Sequence, residues 1–249
     1  MSTRLVVVLC VTVVVVGLGL LFAVFFGVQT AAVILVKRKA AVSPEMSMVP
    51  QPLVSPSASE ASGKRFSCFG YEFELPWADV TVDVKESSVR IAAKSGKTVF
   101  FPDPAKQVDI LEEVTPQDAD SRDAVVALFG EGRYDFYSDM LNATPDQLSV
   151  FMPREESIRV SVLLSMKGVL VPVTGPPSGI FAFAHGDFRG FQFGDPAVAD
   201  KVFVELFHQD RPPFQVVFLG GQDPRARLCQ DDINRLTTTL KPADESGAQ

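Results

Sequence analysis

The hydrophobic pattern of the chain begins with one long apolar run at residues 5–28, which contains no charged side chain. A helix of about 20 apolar residues spans a bilayer, and a helix lets a single segment satisfy its own backbone in lipid. A secretory signal peptide is the competing interpretation, but its apolar core is only about 7–15 residues long. The pattern therefore predicts an uncleaved transmembrane anchor over residues 1–39, in contact with the membrane through residues 5–36.

A polar segment follows the apolar run. Residues 40–63 are rich in Pro, Ser and Ala. Such a composition cannot bury enough apolar surface to fold by itself. We interpret these residues as a flexible linker between the anchor and the rest of the chain.

From residue 64 onward, apolar positions recur with a period of two, the pattern of half-buried strands. The clearest case is YEFEL at 71–75, in which Tyr71, Phe73 and Leu75 alternate with two glutamates. The other candidate strands are VTVDV (80–84), SVRIAA (88–93), TVFF (98–101), GIFAFAH (179–185), FRGFQFG (188–194), KVFVELFH (201–208) and FQVVFL (214–219).

A helical pattern separates the early strands from the late ones. Helices are predicted within residues 115–130, 134–142 and 153–170. A last helix is predicted to open at Asp223 and to bury one face. The order strands, helices, strands, helix predicts an α+β domain with a mainly antiparallel sheet over residues 64–241, followed by a disordered tail at 242–249.

The charge distribution narrows the choice of partners. The chain has a formal net charge of −7, and residues 64–249 carry 19 basic and 28 acidic side chains. Because no basic stripe interrupts this acidic domain, the composition argues against a nucleic-acid partner. Lys37, Arg38 and Lys39 follow the predicted span. The positive-inside rule then predicts a single-pass membrane protein whose domain lies in the cytoplasm.

The two histidines of the chain each occur in an H-x-D pattern, His185 with Asp187 and His208 with Asp210. If the two predicted hairpins are neighbours, these four side chains could converge as a metal site or supply the base of a hydrolase. The structural interpretation is favoured, because Gly186 followed by Asp187 suits a two-residue type II′ turn. The chain has no G-x-S-x-G motif and no complete phosphate-binding glycine motif. We therefore predict no catalytic residues, no metal and no cofactor.

Two further patterns are candidates for a docking surface. Small residues recur along one side of the long predicted helix, at Ser157, Ser161, Ser165 and Gly168. They could receive a partner helix, or they could pack closely within the domain itself. Phenylalanines are also too numerous in the late strands for one side of a small sheet, since neighbouring residues of a strand point to opposite faces. Either helices cover both faces, or one aromatic face is a binding surface.

Cys68 and Cys229 lie near the two ends of the predicted domain. An oxidising compartment would allow a disulfide between them, whereas both would stay thiols in the cytoplasm. Two buried free cysteines are the default expectation, because a free cysteine packs as a small apolar residue.

The opening FGYEFELPW and the close DDINRLTTTLKP resemble the two ends of the PsbP-like α/β/α sandwich modules, at either end of residues 66–241. The chain as a whole also resembles single-pass bacterial membrane proteins. The PsbP-like resemblance implies a non-enzymatic accessory, binding or assembly factor, and it identifies no site residue.

The sequence thus predicts a membrane-tethered, non-enzymatic binding or assembly module with a protein partner. The alternative is a membrane-tethered hydrolase that uses His185 or His208 with the nearby aspartates.

Overall fold

The computed structural model of the protein describes residues 27, 30–31, 33–53, 63–106, 129, 132–173, 178–221 and 223–243. The predicted helical residues 115–128 and the predicted tail residues 244–249 lie outside these ranges. The chain divides into two compact units, a smaller one of Met1–Ser47 with Ala143–Gly168 and a larger one of Met48–Asn142 with Val169–Gln249.

The larger unit is built on two sheets. Its strands are β1 (Gln51–Pro52), β2 (Lys64–Cys68), β3 (Tyr71–Leu75), β4 (Val80–Lys85), β5 (Ser88–Ala93), β6 (Thr98–Pro102), β7 (Ile180–His185), β8 (Phe188–Phe193), β9 (Lys201–His208), β10 (Arg211–Leu219) and β11 (Lys241–Pro242). Eight of them form a sheet in the order β1-β7-β8-β9-β10-β6-β5-β4, and the other three form a small sheet in the order β11-β3-β2. The large sheet is mixed, because β1 runs parallel to β7 and the other pairs are antiparallel.

Alternation of apolar residues places the main core between the two sheets. Tyr71, Phe73 and Leu75 of β3 are buried, while the glutamates between them are partly exposed. They pack with side chains of the large sheet that include Phe101 and Phe214. The predicted strand pattern at 71–75 is confirmed, since the period of two buries one face of the strand.

Three α-helices are described from their first to their last residue: α1 (Arg133–Asn142), α2 (Arg154–Val173) and α3 (Gln230–Thr239). The predicted last helix starts later than expected. Asp223 caps a separate 3-10 turn, Pro224–Ala226, and α3 begins after Cys229. Ile233 and Leu236 of α3 are buried in the core, so the helix buries one face as predicted, while Cys229 just before it is exposed.

The smaller unit contains α2 up to Gly168 together with the helical residues 33–41. Met46, in a 3-10 turn at Pro44–Ser47, is almost fully buried. Lys167 is also fully buried, and its Nζ donates a hydrogen bond of 2.8 Å to the carbonyl oxygen of Ala143.

The predicted transmembrane part of the fold needs correction. Among the described residues, no helix is both long enough and apolar enough to cross a membrane. α2 has the length, about 30 Å, but it carries five charged side chains. The helical residues 33–41 include three consecutive cations. The single-pass membrane class and location predicted from residues 5–36 are therefore contradicted over the described chain, and residues 1–26 lie outside it.

The segment predicted as a linker, residues 40–63, contains regular structure over its described part. The 3-10 turn at Pro44–Ser47 belongs to the smaller unit, and β1 extends the large sheet of the other unit. Residues 54–62 lie outside the described chain. The predicted domain limits of 64 and 241 stay a prediction.

Candidate functional site

Two hairpin turns lie side by side at one end of the large sheet. His185 pairs with Phe188 across the turn between β7 and β8, and His208 pairs with Arg211 across the turn between β9 and β10. Phe188 also pairs with His208, so the two turns are neighbours. Gly186 has a φ of +55°, as a two-residue hairpin turn with glycine first requires.

The two histidines nevertheless do not converge. Residues opposite each other in a sheet share a face, so His185, Phe188 and His208 form one row. The ring of Phe188 stands between the imidazoles, and its centroid is 5.1 Å from that of His208. Two strand spacings, about 10 Å, separate the histidines. Among the described residues no group of three His, Cys, Asp or Glu side chains could hold a metal ion.

An open cleft of about 1140 Å³ lies beside these turns, within the larger unit. Residues 132–135 at the start of α1, residues 186, 187 and 189 of the first hairpin, and residues 207–213 of the second hairpin line it. Asp187, His208 and Asp210 of the predicted site therefore border one cavity. His185 is exposed beside the turn and is not part of the described lining.

Two residues of the cleft lining, Tyr134 and Arg189, contact each other through a cation–π interaction. The ring of Tyr134 lies parallel to that of Phe191, with centroids 5.3 Å apart and an interplanar angle of 10°. The guanidinium of Arg189 also lies over the ring of Tyr134, at 5.4 Å from the ring centroid. Phe191 is buried and Arg189 is exposed. A cation held over an aromatic face keeps its N–H groups directed outward in the plane of the guanidinium.

A second guanidinium of the cleft lining, that of Arg211, is held in place by two contacts. Arg211 donates a hydrogen bond of 2.9 Å from Nη1 to the carbonyl oxygen of Gly70, and it lies 5.6 Å from the ring centroid of Tyr71. The hydroxyl of Tyr71 donates to the carbonyl oxygen of Pro212 at 3.3 Å. Burial raises the pKa of Tyr71 and Arg211 opposes that rise. The tyrosine therefore stays neutral and keeps its hydrogen bond.

The turn that supplies the Gly70 carbonyl is conformationally strained. Phe69 has a φ of +50° and Gly70 a φ of +77°. A positive φ is easy for glycine but costs an aromatic residue about 1–2 kcal/mol. Phe69 packs against the core, which compensates for this conformation.

The hydrogen bond of His208 decides its tautomer. The backbone N–H of Asp210 donates to Nδ1 of His208 at 3.2 Å. A ring nitrogen that accepts a hydrogen bond carries no proton, so the neutral ring holds its proton on Nε2. While this hydrogen bond is intact, the group that the neutral ring of His208 offers to a ligand is the Nε2–H donor.

The aromatic residues of the late strands are partly covered by α1. Tyr134 and Tyr137 pack on Phe191 and Phe207, on the face of the sheet opposite the main core. The described chain thus puts aromatic contacts on both faces of these strands.

The predicted stripe of small residues does not form one accessible face. Ser157 is buried, Ser161 is partly exposed, and Ser165 is exposed with its hydroxyl donating to the carbonyl oxygen of Ser161 at 2.8 Å. A side chain added at Gly168 would meet Met46 of the same unit at 3.7 Å, which is ordinary contact. The successive exposure follows from the i+4 spacing, which drifts around the helix.

Both cysteines of the larger unit are free. Neither is fully buried as expected, since Cys68 is partly exposed and Cys229 is exposed. Burial raises the pKa of Cys68 to about 12, and partial desolvation of its thiol together with the Asp232 carboxylate raises the pKa of Cys229. A thiol with a raised pKa has little thiolate at neutral pH, so neither residue is a good nucleophile.

The stacked and anchored arginines were missed by the sequence analysis. The segment FGEGRYDF, residues 129–136, holds only an incomplete glycine motif, and its Arg133 and Tyr134 line the cleft. Arg189 and Arg211 each stand one or two residues after a hairpin turn. An arginine next to each of the two hairpin turns was the sequence signal that could have indicated this cleft.

Comparison with known proteins found no matching family model, no similar curated protein and no similar solved structure.

Proposed function

We propose that the protein is a non-enzymatic binding module whose ligand is a segment of a partner protein bound in the cleft beside the two hairpin turns. The observation that carries this proposal is the stack of Arg189 on Tyr134, which is itself held by the buried Phe191. Stacking places a guanidinium in the cleft before the ligand arrives, so less entropy is lost on binding.

The chemistry of the lining supports a polypeptide ligand. Tyrosine and arginine are the residues enriched at the energetic centres of protein interfaces. The guanidinium of Arg189 can form a bidentate pair with a carboxylate, through two parallel N–H···O hydrogen bonds. The cleft is open and slightly larger than the range of about 300–1,000 Å³ typical of small-molecule pockets.

The partner segment is expected to carry charges of both signs. Arg133, Arg189 and Arg211 line the cleft together with Asp135, Asp187 and Asp210. A purely acidic segment would meet these carboxylates and would also be repelled by the acidic domain. A segment with carboxylates opposite Arg189 and cations opposite Asp187 and Asp210 is complementary.

The hydrolase alternative receives no comparable support. A histidine base needs a free lone pair directed at the proton it removes. In His208 the lone pair of Nδ1 accepts the N–H of Asp210, and His185 is exposed beside its turn, outside the described lining of the cleft. The PsbP-like resemblance stays a prediction, and its implied binding role agrees with the proposal.

A peptide selection tests the proposal. A random library of peptides of about twelve residues, displayed on phage, is selected on the wild-type protein, and the enriched peptides are measured by fluorescence anisotropy. We expect enriched sequences that combine Asp or Glu with Lys or Arg. Arg189→Ala should raise the Kd of these peptides about ten-fold or more, because it removes a charge-assisted pair.

Arg90→Ala is the matched control, because Arg90 is an exposed arginine of β5 outside the described lining. It should leave the Kd unchanged. The proposal fails if no sequence pattern is enriched, or if the peptides bind Arg189→Ala as tightly as the wild type while its near-ultraviolet circular dichroism is unchanged.

A further inference from the structure

β4 is an edge strand of the large sheet, and two of its valines are exposed to solvent. It is the last strand of the large sheet, with β5 as its neighbour within the described chain. Five of its six residues are exposed, and Val82 and Val84 are 50 % and 71 % accessible. Exposed edges of this kind are templates for a further strand.

The hairpin fixes which backbone groups of β4 point outward. β4 and β5 are joined by a two-residue turn, and Lys85 pairs with Ser88 across it. The pair that closes a two-residue turn is hydrogen-bonded, and such pairs alternate along an antiparallel ladder. Lys85, Asp83 and Thr81 therefore direct their N–H and C=O groups toward β5. Val80, Val82 and Val84 direct theirs away from it.

We propose that β4 pairs antiparallel with β4 of a second copy of the chain, with Val82 opposite Val82. In this register the outward groups of the valines form the hydrogen-bonded pairs, and Val80 lies opposite Val84 on both sides of the symmetry axis. A two-fold axis perpendicular to the sheet makes the contact self-complementary. The valines of both copies then lie on one face, where opposite side chains are close enough to pack.

The charged residues of the edge select this register. It places Lys85 opposite Asp79 of the other copy, and Asp83 opposite Thr81, so no like charges meet. A shift of one residue, with Asp83 on the axis, would set two aspartates against each other and would use the groups that already bond to β5. A shift of two residues, with Val84 on the axis, pairs fewer residues of the strand. Charges at an edge commonly prevent unwanted pairing, and here they favour one arrangement.

The contact is small, so the dimer is weak and reversible. Six residues a side bury less than the 1,200–2,000 Å² or so of a standard stable interface. We expect a dimer that dissociates on dilution through the micromolar range.

Sedimentation velocity of the full chain over a range of concentrations tests the inference. The wild type should shift from a 27.0 kDa monomer to a dimer as the concentration rises. Val82→Lys should raise the dimer Kd about ten-fold or more, because two cations would then face each other on the axis. Val198→Lys is the matched control, since Val198 is also an exposed valine of the larger unit, 74 % accessible. It should leave the Kd unchanged.

A charge exchange tests the register. Lys85→Glu should weaken the dimer, because it sets a second carboxylate against Asp79 of the other copy, and the double variant Asp79→Lys with Lys85→Glu should restore it. A wild type that stays monomeric at all concentrations overturns the inference. So does a dimer that persists in Val82→Lys, or a double variant that dimerises no better than Lys85→Glu alone.

Discussion

Two glycines of the hairpin formed by β7 and β8 carry different constraints. Gly186 needs its positive φ for the turn, but a side chain added there would meet no other atom within 4 Å. Gly190 lies inside β8, where an added Cβ would come within 2.7 Å of the ring of Phe183 and closer still to the backbone oxygen of Glu205. A side chain at Gly186 is disfavoured by the backbone conformation, whereas a side chain at Gly190 is disfavoured by the neighbouring atoms that it would meet.

We expect Gly190→Ala to destabilise the protein more than Gly186→Ala. The first change forces a neighbouring backbone and ring to move, which costs about 1–3 kcal/mol or more. The second adds only the strain of a positive φ, about 1–2 kcal/mol at most for one residue. Urea unfolding followed by circular dichroism gives both free energies of unfolding. Equal losses, or a larger loss for Gly186→Ala, would contradict the steric explanation for Gly190.

A buried carboxylate joins three elements of the larger unit. Asp232, in the first turn of α3, accepts hydrogen bonds of 2.7 Å from Nε1 of Trp77 and 2.7 Å from Nζ of Lys97, and one of 2.9 Å from the backbone N–H of Cys229. Trp77 follows β3, and Lys97 belongs to the turn between β5 and β6. The helix end, the small sheet and the large sheet are thus tied to one side chain, which is 2 % exposed.

We expect Asp232→Ala to lower the free energy of unfolding by about 3 kcal/mol or more, because it leaves the Lys97 ammonium and the Trp77 N–H without their acceptor in a buried site. Asp231→Ala is the control, because Asp231 occupies the same helical turn but is exposed. It should cost no more than about 1 kcal/mol, the usual effect of a charge near a helix end. Similar losses in the two variants, measured by chemical denaturation, would show that the buried hydrogen bonds contribute little.

At the scale of the whole molecule, each of the two units contains one group whose pKa is shifted by burial, and the two pKa shifts have opposite signs. Burial lowers the pKa of Lys167 in the smaller unit to about 8 and raises the pKa of Cys68 in the larger unit to about 12. The unfolded chain binds more protons at Lys167 between about pH 8 and 10.5, so this residue makes stability rise with pH there. The native state binds more protons at Cys68 between about pH 9 and 12, so that residue makes stability fall at higher pH.

Lys167→Met isolates the first effect. Between about pH 7.5 and about pH 9.5, the wild type should gain about 2 kcal/mol of stability relative to the variant, because the buried ammonium loses its proton in the native state. The difference between the two proteins cancels the contributions of the cysteines and of Tyr71. The measurement is urea unfolding at both pH values. A difference that does not change with pH would mean that Lys167 titrates as an exposed lysine.

Local patterns predicted most of the described elements but not how they assemble. The period of two identified β3 to β10 because alternation is set within a single strand, and Gly186 predicted its turn because a positive φ is a property of one residue. Gly190 inside β8 pairs regularly with Phe183 and Leu206. The space above it depends on the ring of Phe183, which belongs to another strand. The membrane prediction rested on the uncharged run at residues 5–28, of which the described chain contains only residue 27, and no described helix is long and apolar enough to cross a membrane.

The sequence by itself determined the acidic character of the chain, the α+β order of its elements, the turn at Gly186 and the buried faces of β3 and α3, whereas the alternating valines of β4 are exposed at Val82 and Val84. These properties depend on neighbouring residues and on composition. Only the tertiary structure decided that β1 joins β7 in parallel, that Phe188 separates the two histidines and that Arg189 stacks on Tyr134. The reason is that each of these relations is a contact between distant segments. It exists only after the sheet has fixed their order, so no local pattern of the chain could encode it.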